Sequence, residues 1–314
     1  MSFLAFGLLA TTSRAAESAK VELHTIQTIT LTDEQFLTGR KDGTPTTIAG
    51  ELRLPQLGTD RLPAVIIIHG SGGIMGNEDR WARELNDIGI AAFTLDGFTP
   101  RGIVNTAADQ SQLGNLTMIN DAYRALDLLA KHPRIDPDRI GIMGGSRGGR
   151  IALYASLKRF QRMYSTPGRE FVVYLSFYVP CYTKYAEDED VIDKPIRLFH
   201  GAADDYTPPA PCRSYVERLR RAGKDVQFVE YPGAYHLFDN PVFPLAKLPQ
   251  PQTAKNCILE EGQRGQIINT ATGKPFTRSD LCVERGGTLG YNAGAHAEAI
   301  KAVREILKSA LKLP

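Results

Sequence analysis

The sequence predicts an α/β protein: a mostly parallel sheet of about eight strands with helices packed on both faces. Three observations carry that prediction. Strand-like and helix-like segments alternate along the chain, the pattern of a sheet built from β-α-β units. Pro63-Ala64-Val65-Ile66-Ile67-Ile68 is continuously apolar and largely β-branched, as a strand buried on both faces must be. Finally, the apolar run Ile140-Gly141-Ile142-Met143 ends in Gly144-Gly145-Ser146-Arg147-Gly148 and passes directly into Ile151-Ala152-Leu153-Tyr154-Ala155, a strand, a sharp turn and a helix. With 314 residues and 42% hydrophobic content, the chain can bury one large core, placed here in a single domain over residues 17–314.

Composition also sets limits. A formal net charge of +2 gives no strong attraction to nucleic acid. No apolar run reaches the ~18 residues of a membrane-spanning helix. Residues 1–16 carry an apolar stretch from Ser2 to Ala10, then Thr11-Thr12-Ser13-Arg14-Ala15-Ala16, the form of a secretory signal cleaved near Ala15 or Ala16, although no Lys or Arg precedes it. This points to export, periplasmic or extracellular; without a working signal the protein would be cytoplasmic.

Taken in order, Val21 to Ile29 alternates as a half-buried strand does, and Gly50 to Pro55 repeats the pattern, so the two are expected to form an antiparallel edge. The buried strand at 63–68 ends in the glycine-rich loop His69-Gly70-Ser71-Gly72-Gly73. Trp81, Leu85 and Ile88 share one helical face, and Gly89 is placed to stop that helix. Ile90 to Asp96 is the next strand, followed by the loop Gly97 to Gly102. An amphipathic helix over 121–129 leads to the strand that ends at Ser146. Phe171 to Tyr178, Pro195 to Phe199 and Val226 to Tyr231 are the remaining strands, with a helix from Tyr215 to Arg221 and a closing amphipathic helix from Ala293 to Leu311. Residues 240–290 break the rhythm, being rich in Pro, Gln, Asn, Thr and Gly, and read as an irregular excursion too long for an ordinary loop.

Gly-x-Ser-x-Gly at a strand-to-helix turn is the form of a nucleophile elbow, with glycines where side chains would collide and Ser146 above a helix N-terminus that favours negative charge. A hydroxyl nucleophile needs a base, and the base needs an acid to orient it. His236 follows the last strand, and Asp204 or Asp205 follows the one before it, with the run His200-Gly201-Ala202-Ala203-Asp204 favouring Asp204. The order Ser, Asp, His matches the α/β-hydrolase arrangement. The backbone N–H of Arg147, with that of Ser71 or Gly72, is then the expected oxyanion hole. Of the other histidines, His69 and His200 are assigned to packing or hydrogen bonding at strand ends and His132 to a surface turn, while His24 and His296 lie far from the candidate nucleophile in sequence.

Together, His69-Gly70-Ser71-Gly72-Gly73, Gly144-Gly145-Ser146-Arg147-Gly148, His200-Gly201-Ala202-Ala203-Asp204 and Tyr231-Pro232-Gly233-Ala234-Tyr235-His236 resemble the dienelactone hydrolase family. The resemblance covers most of residues 60–240 and the final helix. It implies an α/β-hydrolase fold of about eight strands and hydrolysis of a small ester or lactone with no metal and no organic cofactor. Two departures matter. The family carries a cysteine nucleophile where this chain has Ser146, and a glutamate in the loop where it has His69-Gly70. Serine shifts the expectation towards a carboxylesterase working through an acyl-enzyme. The family's arginine after the fourth strand, which helps bind a substrate carboxylate, corresponds to Arg101. The alternatives are a peptidase of the prolyl-oligopeptidase type and a non-catalytic binding protein on the same fold. Sequence leaves the oligomeric state open.

The four cysteines, Cys181, Cys212, Cys257 and Cys282, contain no Cys-x-x-Cys pair, which disfavours a zinc site. In an exported chain they form two disulfides. Sequential pairing, 181 with 212 and 257 with 282, is one of three connectivities, and the second pair would staple the excursion.

Overall fold

A computed structural model describes residues 20–313, so the signal-like segment at 1–16 lies outside the described residues. The chain runs β1 (Lys20–Thr30), α1 (Asp33–Leu37), β2 (Thr44–Leu54), β3 (Leu62–Ile68), α2 (Gly76–Asn86), β4 (Ala91–Asp96), α3 (Thr117–Lys131), β5 (Ile135–Gly145), α4 (Arg147–Tyr154) and α5 (Lys158–Tyr164). It continues through β6 (Tyr174–Phe177), β7 (Thr183–Lys184), β8 (Ile196–Gly201), α6 (Pro209–Arg221) and β9 (Val226–Tyr231). The last part is β10 (Ala246–Thr253), β11 (Leu259–Glu261), β12 (Ile267–Asn269), β13 (Lys274–Pro275), β14 (Glu284–Leu289) and α7 (Ala293–Ala310).

Eight strands form the main sheet in the order β1-β2-β4-β3-β5-β6-β8-β9. The β1–β2 and β2–β4 pairs are antiparallel and every later pair is parallel. The expected edge hairpin is therefore present, and β2 begins at Thr44, before the segment its alternation marks out.

The side chains of β3 show why the sheet is two-faced. Ala64, Ile66 and Ile68 join one apolar cluster with residues of α3, α4, α5 and α6, while Val65 and Ile67 join a second with residues of α2 and α7. All seven residues of β3 are buried. Burying an aliphatic side chain of this size is worth about 1.5–3 kcal/mol, so a continuously apolar run is stable only in this central position.

The excursion departs from its irregular reading. It contains five short strands: β10 and β14 pair antiparallel, and β13-β12-β11-β7 form a small four-stranded sheet. Their alternation is masked because β10 carries Pro249 and Pro251, and its register with β14 shifts between Leu248 and Gln252. Proline has no N–H to donate, so a strand containing it pairs only at an edge or bulge. The disulfides are Cys181–Cys212 and Cys257–Cys282, the sequential connectivity. Among the described residues, no helix is long and apolar enough to cross a membrane.

Candidate active site

Strands β5, β8 and β9 end on the same edge of the sheet and place Ser146, Asp204 and His236 beyond their C-terminal ends. This is where open α/β sheets present ligand-binding groups. Ser146 follows β5 and precedes α4 with φ 56° and ψ −115°, a conformation costly for a residue with a side chain. Its N–H donates to the Phe177 carbonyl at 2.9 Å, tying the turn to β6. The turn also needs its glycines. A Cβ on Gly148 would lie 2.0 Å from the Ile68 carbonyl oxygen, and one on Gly144 would lie 2.6 Å from the Gly148 backbone.

His236 is 2% exposed, and its Nδ1 lies 2.8 Å from Asp204 Oδ2. A carboxylate can only accept, so the Nδ1 proton points at Asp204 and Nε2 is left as the basic nitrogen. Asp204 is held on every side. Its Oδ1 accepts from the N–H groups of Tyr206 (2.9 Å) and Thr207 (2.8 Å), and its Oδ2 accepts from the Thr207 hydroxyl at 2.9 Å. Burial alone would raise its pKa. Electrostatic attraction to His236, together with hydrogen bonds from His200 and His236, outweighs burial and holds the carboxyl well below the usual carboxylate range. Asp205 points elsewhere, accepting from the backbone N–H of Thr288 at 2.6 Å and its hydroxyl at 2.9 Å. Between the two aspartates, only Asp204 contacts His236.

Ser146 and His236 line a cavity of about 160 Å³ together with Ser71, Gly72, Tyr178 and Tyr206. The glycine-rich loop after β3 turns tightly there, with the Gly73 N–H donating to the Gly70 carbonyl at 3.2 Å. Gln110 Nε2 donates to the Ser71 hydroxyl at 3.0 Å, and Thr106 N–H to the Ser71 carbonyl at 2.8 Å, which fixes the loop from outside. Arg147 supplies the first N–H of α4, a position that no intrahelical carbonyl serves. His69 is fully buried, accepts from the Gly97 N–H at 3.2 Å and is pushed down to about 4 by burial, so it bridges two loops as a neutral ring.

Arg101 does not reach this cavity. Its guanidinium is spent on Asp121, with contacts of 2.8 and 3.0 Å, and it also donates to the Thr30 hydroxyl at 2.7 Å and the Gly97 carbonyl at 2.7 Å. The side chain is 5% exposed, leaving no free face for a substrate carboxylate.

Several contributors carry no motif. Tyr178 and Tyr206 flank the His236 ring, with centroids 4.6 and 4.9 Å away. The Tyr178 hydroxyl donates to Asp239 Oδ1 at 3.0 Å, and Trp81 Nε1 and Asn77 Nδ2 donate to Asp239 Oδ2 at 2.8 and 3.1 Å. Glu78 also lines the cavity. It accepts from the Met75 N–H at 2.7 Å, and burial raises its carboxyl to about 7. Only Tyr206 and Thr207 sit close enough to Asp204 in sequence for a motif search to have found them.

The comparisons agree with this geometry at the level of family. The model of the dienelactone hydrolase family matches residues 48–311. A "probable 2-oxo-3-(5-oxofuran-2-ylidene)propanoate lactonase" of Bradyrhizobium sp is 28% identical over 203 residues, covering 60% of this chain and 80% of that one. An "uncharacterized peptidase YuxL" of Bacillus subtilis (strain 168) is 23% identical over 212 residues; the match takes in 57% of this chain but only 31% of that relative's length. The crystal structure of a dienelactone hydrolase-like promiscuous phosphotriesterase from metagenomic libraries shares the fold, with a TM-score of 0.57, 17% identity, and coverage of 92% of this chain and 98% of that one.

Proposed function

The chain belongs to the dienelactone hydrolase family, and on that premise we propose that it is a serine hydrolase cleaving small carboxylic esters or lactones through an acyl-enzyme. The observation that supports this most is the His236 Nδ1 contact with Asp204 Oδ2 at 2.8 Å, within a cavity that Ser146 also lines.

In this reading Ser146 Oγ attacks the substrate carbonyl while His236 Nε2 takes its proton. The imidazolium is stabilised by Asp204 and returns the proton to the departing alkoxide. The oxyanion is met by the N–H of Arg147 and one N–H from Ser71 or Gly72. Donors of this kind are typically worth about 3 kcal/mol each in the transition state. Water then attacks the acyl-enzyme with His236 again as base, releasing the acid and restoring Ser146. For a lactone, ring opening leaves the alkoxide tethered to the acyl group. A residue at φ 56° keeps the nucleophile proud of the sheet edge, the geometry such attack requires. The lactonase named among the relatives supports a cyclic ester as one substrate form. The two disulfides support an oxidising, exported location.

The test is trapping. Rapid quenching with a p-nitrophenyl ester should give a protein heavier by one acyl group, with the adduct on the peptide containing Ser146. Turnover with no such adduct in a burst-phase quench would favour direct water attack and count against the acyl-enzyme.

A further inference from the structure

Two histidines that the chemistry above leaves unused meet on one carboxylate. Glu22 and His24 are two positions apart on β1, so both side chains leave the same face of the strand. His132 follows α3 directly and caps its C-terminus. His24 Nε2 lies 3.1 Å from Glu22 Oε2, and His132 Nε2 lies 3.0 Å from the same oxygen. The two rings stand edge to face with centroids 5.7 Å apart. Among the described residues, these are the three side chains of metal-ligating type whose ligand atoms converge, all within 4.8 Å of one another.

That spacing is close to a coordination shell. Zinc binds imidazole nitrogen and carboxylate oxygen at about 2.0–2.2 Å, which sets neighbouring corners of its tetrahedron about 3.4 Å apart. The 3.0 and 3.1 Å separations would open by only a few tenths of an ångström to admit the ion. The side chains of Glu22, His24 and His132 are 19, 23 and 10% exposed, so water can complete the shell from the open side. Two imidazoles and one carboxylate suit a divalent transition ion such as zinc or nickel, whereas magnesium and calcium favour all-oxygen sites. The C-terminal end of α3 also favours positive charge at this position.

Two contacts oppose the ion and limit its affinity. Lys20 Nζ lies 2.8 Å from the other carboxylate oxygen, Glu22 Oε1, although at 56% exposure its side chain can swing into water. A carboxylate only accepts, so both imidazoles now carry their protons on Nε2, directed at Glu22. His132 Nδ1 is accordingly an acceptor, taking the Arg134 N–H at 3.2 Å. A metal ion replaces the two Nε2 protons, each ring then holds its proton on Nδ1, and the Arg134 contact is given up. An outer partner that supports a ligating histidine is worth about 10–100-fold in affinity, and His132 lacks one, which points to micromolar binding.

We propose that Glu22, His24 and His132 form a binding site for a divalent transition metal ion of the zinc type, one that braces the edge strand β1 against the end of α3. The site is remote from the hydrolytic chemistry. His132 precedes the start of β5 and Ser146 follows its end, so the two stand at opposite ends of that strand.

Calorimetry with zinc chloride on untagged, chelator-treated protein tests this. One zinc ion should bind per chain with micromolar affinity, magnesium should give no heat at the same concentration, and zinc should raise the melting temperature. His24→Asn and Glu22→Gln should each weaken zinc binding at least about tenfold. A readout that needs no variant is the ring resonances of the wild-type histidines, where zinc should move those of His24 and His132 and leave those of His69 and His200 in place. Absence of saturable one-to-one binding, binding that both variants keep, or resonance shifts confined to other histidines overturns the site. Magnesium binding as tightly as zinc overturns its assignment to a transition ion. One-to-one zinc binding that leaves the melting temperature unchanged overturns the bracing role.

Discussion

At the scale of single residues, the two carboxyls nearest the cavity are tuned in opposite directions. Asp204 has several donors, His236 among them, and is held well below the usual range. Glu78 has one backbone donor at 2.7 Å and the charge of Asp239 nearby, and burial raises it to about 7. The consequences for stability have opposite signs. The Asp204 contribution is present above the unfolded carboxylate pKa and is lost as pH falls through its depressed value. Glu78 binds its proton more tightly folded than unfolded, so its contribution is full below its ordinary value of 4.5 and is lost as pH rises through about 7. Glu78→Gln should therefore flatten the decline between those values, raising stability at pH 8 relative to wild type by up to about 3 kcal/mol and leaving pH 4 little changed. Urea denaturation at both pH values checks this; parallel pH profiles for the two proteins would show that Glu78 is not raised.

At the scale of elements, the excursion braces the chemistry. Its strand β14 pairs through Leu289 with His236, and the Gly290 N–H donates to the His236 carbonyl at 2.9 Å. Asp205 grips Thr288, while the Tyr206 hydroxyl donates to the Gln252 carbonyl at 3.1 Å and the Thr253 hydroxyl to the Tyr206 carbonyl at 2.8 Å. His236 and one aromatic flank of its ring are thus held by the segment whose sequence looked least regular. The Cys257–Cys282 bridge, 25 residues apart, closes that segment on itself. Replacing both cysteines by serine should lower stability by about 3 kcal/mol on loop-closure entropy. It should also lower kcat for small esters more than it raises KM, because what loosens is the base. Activity that is unaffected in the double mutant at a temperature where it remains folded would mean the excursion does not position His236.

At the scale of the whole molecule, the sheet was legible because it is two-faced. The apolar run at 63–68 has one stable location, and β-α alternation then orders the rest. The elbow was legible because Gly144 and Gly148 are packed against backbone that tolerates no Cβ. The motif favoured Asp204 over Asp205, and in the structure Asp204 contacts His236 while Asp205 accepts from Thr288. What sequence could not resolve depends on distant pairings. Arg101 matched the family's carboxylate-binding arginine, yet its guanidinium is taken up by Asp121, 20 positions away on α3. Arg278 lies more than a hundred positions after Ser146, and only tertiary folding brings the two to one cavity. The excursion's strands are too short and too rich in proline to show a period. The central claim is that Ser146 is a nucleophile activated by His236, and labelling with a fluorophosphonate probe tests it most directly. The account predicts one adduct, on Ser146, absent from Ser146→Ala and slowed by at least about a hundredfold in His236→Ala, given the 10²–10⁴-fold range of general-base catalysis. Folded wild-type protein that takes up no probe, or takes it up equally after Ser146→Ala, would contradict it.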